Sequence, residues 1–145
     1  MKAILLLAMY FFSHSASAVK AERATAIVVN KSDHVMHVFA KDRKIASFRV
    51  GFGYHPVGHK QQEGDKRTPE GRYVLDYKNA NSTFFTSIHI SYPNAADKAN
   101  DPKVRVAIDR FASPDWTYGC ISMKNEDLQR LWGLVSVPTP IHIQP

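Results

Sequence analysis

Three short stretches follow one another early in the chain: residues 24–30 (ATAIVVN), 34–40 (HVMHVFA) and 44–50 (KIASFRV), all rich in β-branched and aromatic side chains. Polar turns at Lys31-Ser32-Asp33 and Lys41-Asp42-Arg43 separate them. Segments this short do not make stable helices, and connections this tight join antiparallel neighbours, so the pattern predicts a β-meander. Residues 72–77 (RYVLDY), 86–91 (TSIHIS), 104–108 (VRVAI) and 141–143 (IHI) read as further strands. Residues 51–71 hold too much glycine and charge for a strand and are expected to form a long functional loop.

One helix is expected near the end. Leu128, Leu131, Trp132 and Val135 recur at the i, i+3, i+4 and i+7 spacing of a helical face, which should pack on the sheet with Trp132 in the core. Asn125 is the expected N-cap, Glu126 and Asp127 suit the positive end of a helix, and Pro138 and Pro140 stop it. The expected fold is therefore mainly β with one C-terminal helix.

Residues 1–18 contain one lysine, an apolar run over 3–12 and a small-residue end at Ala16-Ser17-Ala18, the pattern of a secretory signal peptide cleaved before Val19. The run is about half the ~20 residues a membrane span needs, so no transmembrane segment is expected. Residues 19–145 then form one domain. With 44% hydrophobic residues and no repeat, the composition is that of a globular chain. The net charge of +6 favours anionic surroundings, but the basic residues are scattered and make neither a basic helix nor an aromatic ribonucleoprotein motif. Nucleic acid is not an expected partner.

Cys120 is the only cysteine, and export leads to oxidising compartments where cysteines usually come in pairs. Two readings of it stand side by side: a buried structural thiol, and a reactive nucleophile. One cysteine and scattered histidines show no zinc-type spacing, so no metal and no cofactor are expected.

The neighbouring motifs weigh on that choice. Residues 58–73 (GHKQQEGDKRTPEGRY) resemble, nearly position for position, the G-x-K-x-x-x-G-D-x-R-T-P-E-G-x-Y loop of the L,D-transpeptidase catalytic domain, the YkuD family. Residues 88–97 (IHISYPNAAD) resemble a segment of one exported bacterial branch, and residues 115–121 (DWTYGCI) resemble its nucleophile motif. The resemblance implies a curved mixed sheet or sandwich and location in the periplasm. It also implies a cysteine-dependent peptidoglycan enzyme that takes the acyl part of a stem peptide as a thioester and passes it to an amine or to water. It makes Cys120 the nucleophile. Gly119 would let the backbone approach closely, and N–H groups around Cys120 would hold the oxyanion. Substrate carboxylates would meet Lys60 or Arg67, with Lys66 and Arg72 as further cations, and Tyr118 would border the substrate.

The family's catalytic histidine, in an I-x-I-H-G segment, is missing. The matching residues are Val106-Ala107-Ile108-Asp109-Arg110. Tyr118 and Ser122 also stand where the wider family has histidine and arginine. His89, on a predicted strand of the same sheet, is the first candidate for the base, followed by His55 and His59 of the loop. Asp109 is too weak a base for a thiol but would orient a histidine or water. The rival reading is a catalytically inactive cell-wall binding protein. A redox sensor ranks last, because there is no resolving cysteine.

Overall fold

The computed structural model describes residues 22–83, 85–99, 106–110, 115 and 117–145. The predicted signal peptide, Trp116 and the side chains of Asp109 and Arg110 lie outside the described residues. Eight strands are described: β1 (Ala26–Asn30), β2 (Val35–Ala40), β3 (Arg43–Arg49), β4 (Gly71–Ser82), β5 (Phe85–Ile90), β6 (Val106–Arg110), β7 (Ile121–Met123) and β8 (Thr139–Gln144). Helix α1 spans Asn125–Leu134, and a 3-10 turn spans Asp97–Ala99.

The meander forms as its alternation requires. Ile27 and Val29 of β1 and Met36, Val38 and Ala40 of β2 point inward, while the residues between them are partly exposed. The strands make one mixed sheet in the order β3-β2-β1-β8-β4-β5-β6-β7. Two neighbouring pairs are parallel, β1 with β8 and β6 with β7, and the rest are antiparallel.

The sheet is curled, and its two edges are tied together. Leaving β3 at one edge, the chain reaches β7 at the other, where Gly51 and Ser122 exchange hydrogen bonds of 2.8 and 2.9 Å. A second bridge joins Gly53 to Thr117. This closure explains why all three residues of β7 are buried, although an edge strand normally has a wet face.

Helix α1 packs against β5 and β6 and fills the curl with Leu128, Leu131 and the following Val135. Its N-cap is Lys124, not Asn125. Lys124 has the extended backbone of a cap but makes no side-chain capping bond, and Asn125 is already helical. The other end is finished from outside. Lys78 of β4 donates to the carbonyls of Trp132 and Val135, both at 2.6 Å, with its ammonium 4.8 Å from the Trp132 ring centre. Burial and the neighbouring Arg23 lower the pKa of Lys78. Trp132 packs against the core, as its spacing predicts.

Candidate active site

The loop between β3 and β4 is organised around one carboxylate. Asp65 accepts from the Lys60 ammonium at 2.7 Å and from the backbone N–H groups of Gln61, Gln62 and Arg67 at 2.7, 3.1 and 3.0 Å. Gly64, at φ +78, makes the tight turn that lets the chain wrap that carboxylate. Burial alone would raise the pKa of Asp65, but the Lys60 bond and the three N–H donors outweigh it and hold it down to about 2. A depressed carboxylate stabilises the fold above its unfolded pKa of 3.8, and that contribution is lost as pH falls toward 2. Acid titration followed by NMR should therefore show the loop holding at pH 4 and loosening between pH 4 and 2. Loop resonances unchanged down to pH 2 would refute this role.

Lys60 is fully buried, and its ammonium also donates to the carbonyl of Tyr118 at 3.3 Å. The side chain expected to meet a substrate carboxylate is thus engaged within the protein. Its charge faces inward, between Asp65 and the turn that carries Cys120. Lys31, read from sequence only as a turn residue, is also buried, and it reaches Glu70 at 2.8 Å and the carbonyls of Gly58 and Thr68 at 2.8 and 3.1 Å. His59 is occupied at both ring nitrogens. Nδ1 accepts the Glu70 N–H at 2.9 Å, and Nε2 lies 3.1 Å from the buried carboxylate of Asp97. That pairing ties the loop to the YPNAAD segment and leaves His59 no lone pair for a thiol proton.

The turn before β7 is fixed from both sides. The buried Thr117 hydroxyl accepts the Gly119 N–H at 3.0 Å and donates to the Cys120 carbonyl at 2.6 Å. The Gly119 N–H is thus engaged within the turn. Gly119 adopts φ +134, and a Cβ there would lie 2.6 Å from the Arg67 carbonyl oxygen and 3.2 Å from the Lys60 ammonium. Only glycine fits. Gly119→Ala combines backbone strain with a clash against main chain, at a cost of about 3 kcal/mol or more, or roughly 10 °C in Tm. A thermal melt within a degree or two of the parent would show that the turn is looser than this.

Cys120 emerges half-buried from that turn at the start of β7. Tyr118 projects at the rim beside it. Arg67 packs its guanidinium over Gly58 and lines a polar hollow of about 250 Å³ with His55, Gln61, Gln62 and Asp65. Cys120, Gly119, Tyr118, Lys60 and Arg67 therefore belong to one region.

His89 stands apart from it. In β5 and β6, Ile88 pairs with Ile108 and His89 with Ala107, while Ile108 pairs with Ile121 across the parallel β6–β7 ladder. His89 and Cys120 thus lie on the same side of that rung but two strands apart, or about 10 Å between backbones. A bulge in β4 between Leu75 and Tyr77 brings Asp76 to His89, and Nδ1 lies 2.6 Å from Asp76 Oδ1. A donated Nδ1–H would leave Nε2 as the basic nitrogen, the arrangement of a histidine oriented by a carboxylate. Sequence reading missed Asp76 and Thr117. The T-x-G-C spacing was a signal for Thr117, whereas nothing in the sequence marks the bulge. Among the described residues no group of three metal-ligating side chains gathers, and no helix is long and apolar enough to cross a membrane.

This combination of a curled mixed sheet, a charged loop and a cysteine on a glycine turn defines the class. The model of the YkuD family, the L,D-transpeptidase catalytic domain, matches residues 24–143. The chain belongs to that family. Among solved structures it is similar to Pgp2, the helical cell shape determining protein of Campylobacter jejuni (TM-score 0.68, 22% identity, covering 85% of this chain and 48% of that one). It is also similar to Bd1075 of Bdellovibrio bacteriovorus (0.66, 22%, 85% and 48%) and to an L,D-transpeptidase of Mycobacterium smegmatis (0.58, 14%, 84% and 59%). At these identities the likeness shows the fold, and the chain spans about half the length of the first two. No curated protein matches it in sequence.

Proposed function

We propose that this chain is a peptidoglycan L,D-transpeptidase, or its hydrolytic variant, exported to the periplasm and active in cell-wall biogenesis and cell shape. Cys120 Sγ attacks the carbonyl carbon of a stem-peptide bond and forms the thioester as the C–N bond breaks. The leaving amine takes a proton, and an acceptor amine or water then attacks the thioester and restores the thiol. The observation that carries this reading is the placement of the sole thiol on a turn that Gly119, Thr117 and the buried Lys60 hold rigidly, since a preset nucleophile is what acyl transfer requires.

In this reading His89, oriented by Asp76, is the base. With strand β6 between it and Cys120, the proton crosses through one bridging water or a substrate group. The rival, an inactive cell-wall binding protein, draws on one specific observation. β6 neighbours β7 and carries Asp109, paired with Ser122, where the family's histidine would stand.

Incubating the protein with purified peptidoglycan fragments and weighing protein and products separates the two. The enzyme should show an acyl adduct on Cys120 and exchanged, cross-linked or trimmed stems. Sedimentation with peptidoglycan but no adduct and no product would leave the binding protein.

A further inference from the structure

We propose that His34 and Asp115 form a proton-operated clamp that positions the turn carrying Cys120. Its service to a reaction rests on the reading of Cys120 as an acyl-transfer nucleophile. His34 precedes β2, and Asp115 lies five residues before Cys120. Both hold a left-handed backbone, at φ +52 and φ +48, which side-chain-bearing residues rarely adopt. The main chain of His34 is fixed at both groups: its N–H donates to the Lys31 carbonyl at 3.2 Å, and its carbonyl accepts the Val50 N–H at 3.1 Å.

The ring is fixed as well, and that decides its tautomer. Nδ1 lies 3.1 Å from the Val50 carbonyl, an oxygen that can only accept, so Nδ1 carries the hydrogen. Nε2 lies 3.5 Å from Asp115 Oδ2. In the neutral ring this nitrogen holds a lone pair and makes no bond to a carboxylate. A second proton can enter only at Nε2, where it turns a contact too long for a hydrogen bond into a charge-assisted one.

Asp115 is the counterpart left for that charge. Lys31 and Glu70, which line the same hollow as His34, are bonded to each other at 2.8 Å. Asp33 on the preceding turn and Arg49 on β3 are both exposed and opposite in sign, with Arg49 bonded to the Asp33 carbonyl at 3.1 Å. The Phe52 ring, 5.3 Å from the imidazole centre, brings no charge.

From Asp115 the effect passes through backbone. Its other oxygen, Oδ1, accepts the Phe52 N–H at 2.8 Å, and the Phe52 carbonyl accepts the Thr117 N–H at 3.1 Å. The Thr117 hydroxyl then holds Gly119 and Cys120. Every link from His34 to Cys120 is a direct contact, so drawing Asp115 toward a charged ring tightens the seat of the thiol. Histidine as a residue type changes charge between about pH 5 and 8, so the clamp closes as the surroundings turn acidic.

Amide hydrogen exchange reads the clamp apart from catalysis. In wild type, protection of the Thr117 and Gly119 N–H groups, corrected for intrinsic rates, should rise about tenfold from pH 8 to pH 5. His34→Asn tolerates the left-handed backbone but takes no proton, and it should abolish the rise. Asp115→Asn keeps an oxygen for the Phe52 N–H and should abolish it too. Should either variant fail to fold, the other decides; should both fail, the His34 ring and the Cys120 amide of wild type must titrate with one midpoint in NMR spectra. In stem-peptide turnover, the loss from His34→Asn should fall on kcat and be larger at pH 5 than at pH 8. Protection in wild type that ignores pH, a rise that survives either variant, or two separate midpoints would overturn the clamp. Thioester formation with pH-independent protection would leave the enzyme standing without it, and coupled protection without any thioester would leave the clamp standing without the enzyme.

Discussion

Replacing Cys120 with alanine is expected to abolish the acyl adduct and to lower turnover of stem peptides by on the order of 10⁴-fold or more, since no other group in the chain can form the thioester. The fold should survive. The turn is held by the hydroxyl of Thr117 and by the absence of a side chain at Gly119, and neither depends on the sulfur. Intact-mass spectra of wild type and variant after exposure to peptidoglycan fragments, with matching circular dichroism, would check this. An adduct of equal yield on the alanine protein would place the chemistry on another residue and sink the assignment. An adduct on wild type that forms only after unfolding would return Cys120 to the role of a structural thiol.

His89→Ala is the second large effect, a loss of about 10²–10⁴-fold in turnover, the range typical of a removed general base. The imidazole is partly exposed on the outer face of the sheet and bonds chiefly to Asp76, so its removal should leave the melting temperature nearly unchanged. Asp76→Asn should cost less, because an amide can still orient the ring. Together the two variants separate a base from a mere surface pair, as a structural role would lower turnover in neither. Full activity in His89→Ala would refute the assignment and turn attention to His55, whose Nδ1 meets the Asp65 carbonyl at 3.0 Å. His59 would not follow, because both of its nitrogens are taken.

The legible and illegible parts of this site differ in kind. The loop motif, the lone cysteine and its glycine were readable because their signals are local: a fixed spacing of Lys60, Gly64, Asp65 and Arg67, and a Gly-Cys pair before a helix. The destinations of the charges were not. A lysine in a polar, glycine-rich loop reads as a solvated side chain, yet Lys60 is buried because Asp65 and the Tyr118 carbonyl, which lies 58 residues away, meet its ammonium. The Asp76–His89 pair depends on a bulge that shifts β4 by one residue against β5, and no residue type in RYVLDY announces it.

The strands of the meander, the face of α1, the family-like loop and the lone cysteine were legible along the chain, because alternation, helical spacing and motif order are properties of neighbouring residues. Long-range contacts set the closure of the sheet at Gly51 and Ser122, the inward turn of Lys60 and Lys31, the occupation of His59 and the placing of β6 between His89 and Cys120. Each of these joins residues distant along the chain. A buried charge is stable only where the fold supplies its partner, and that partner exists only once the whole sheet has curled.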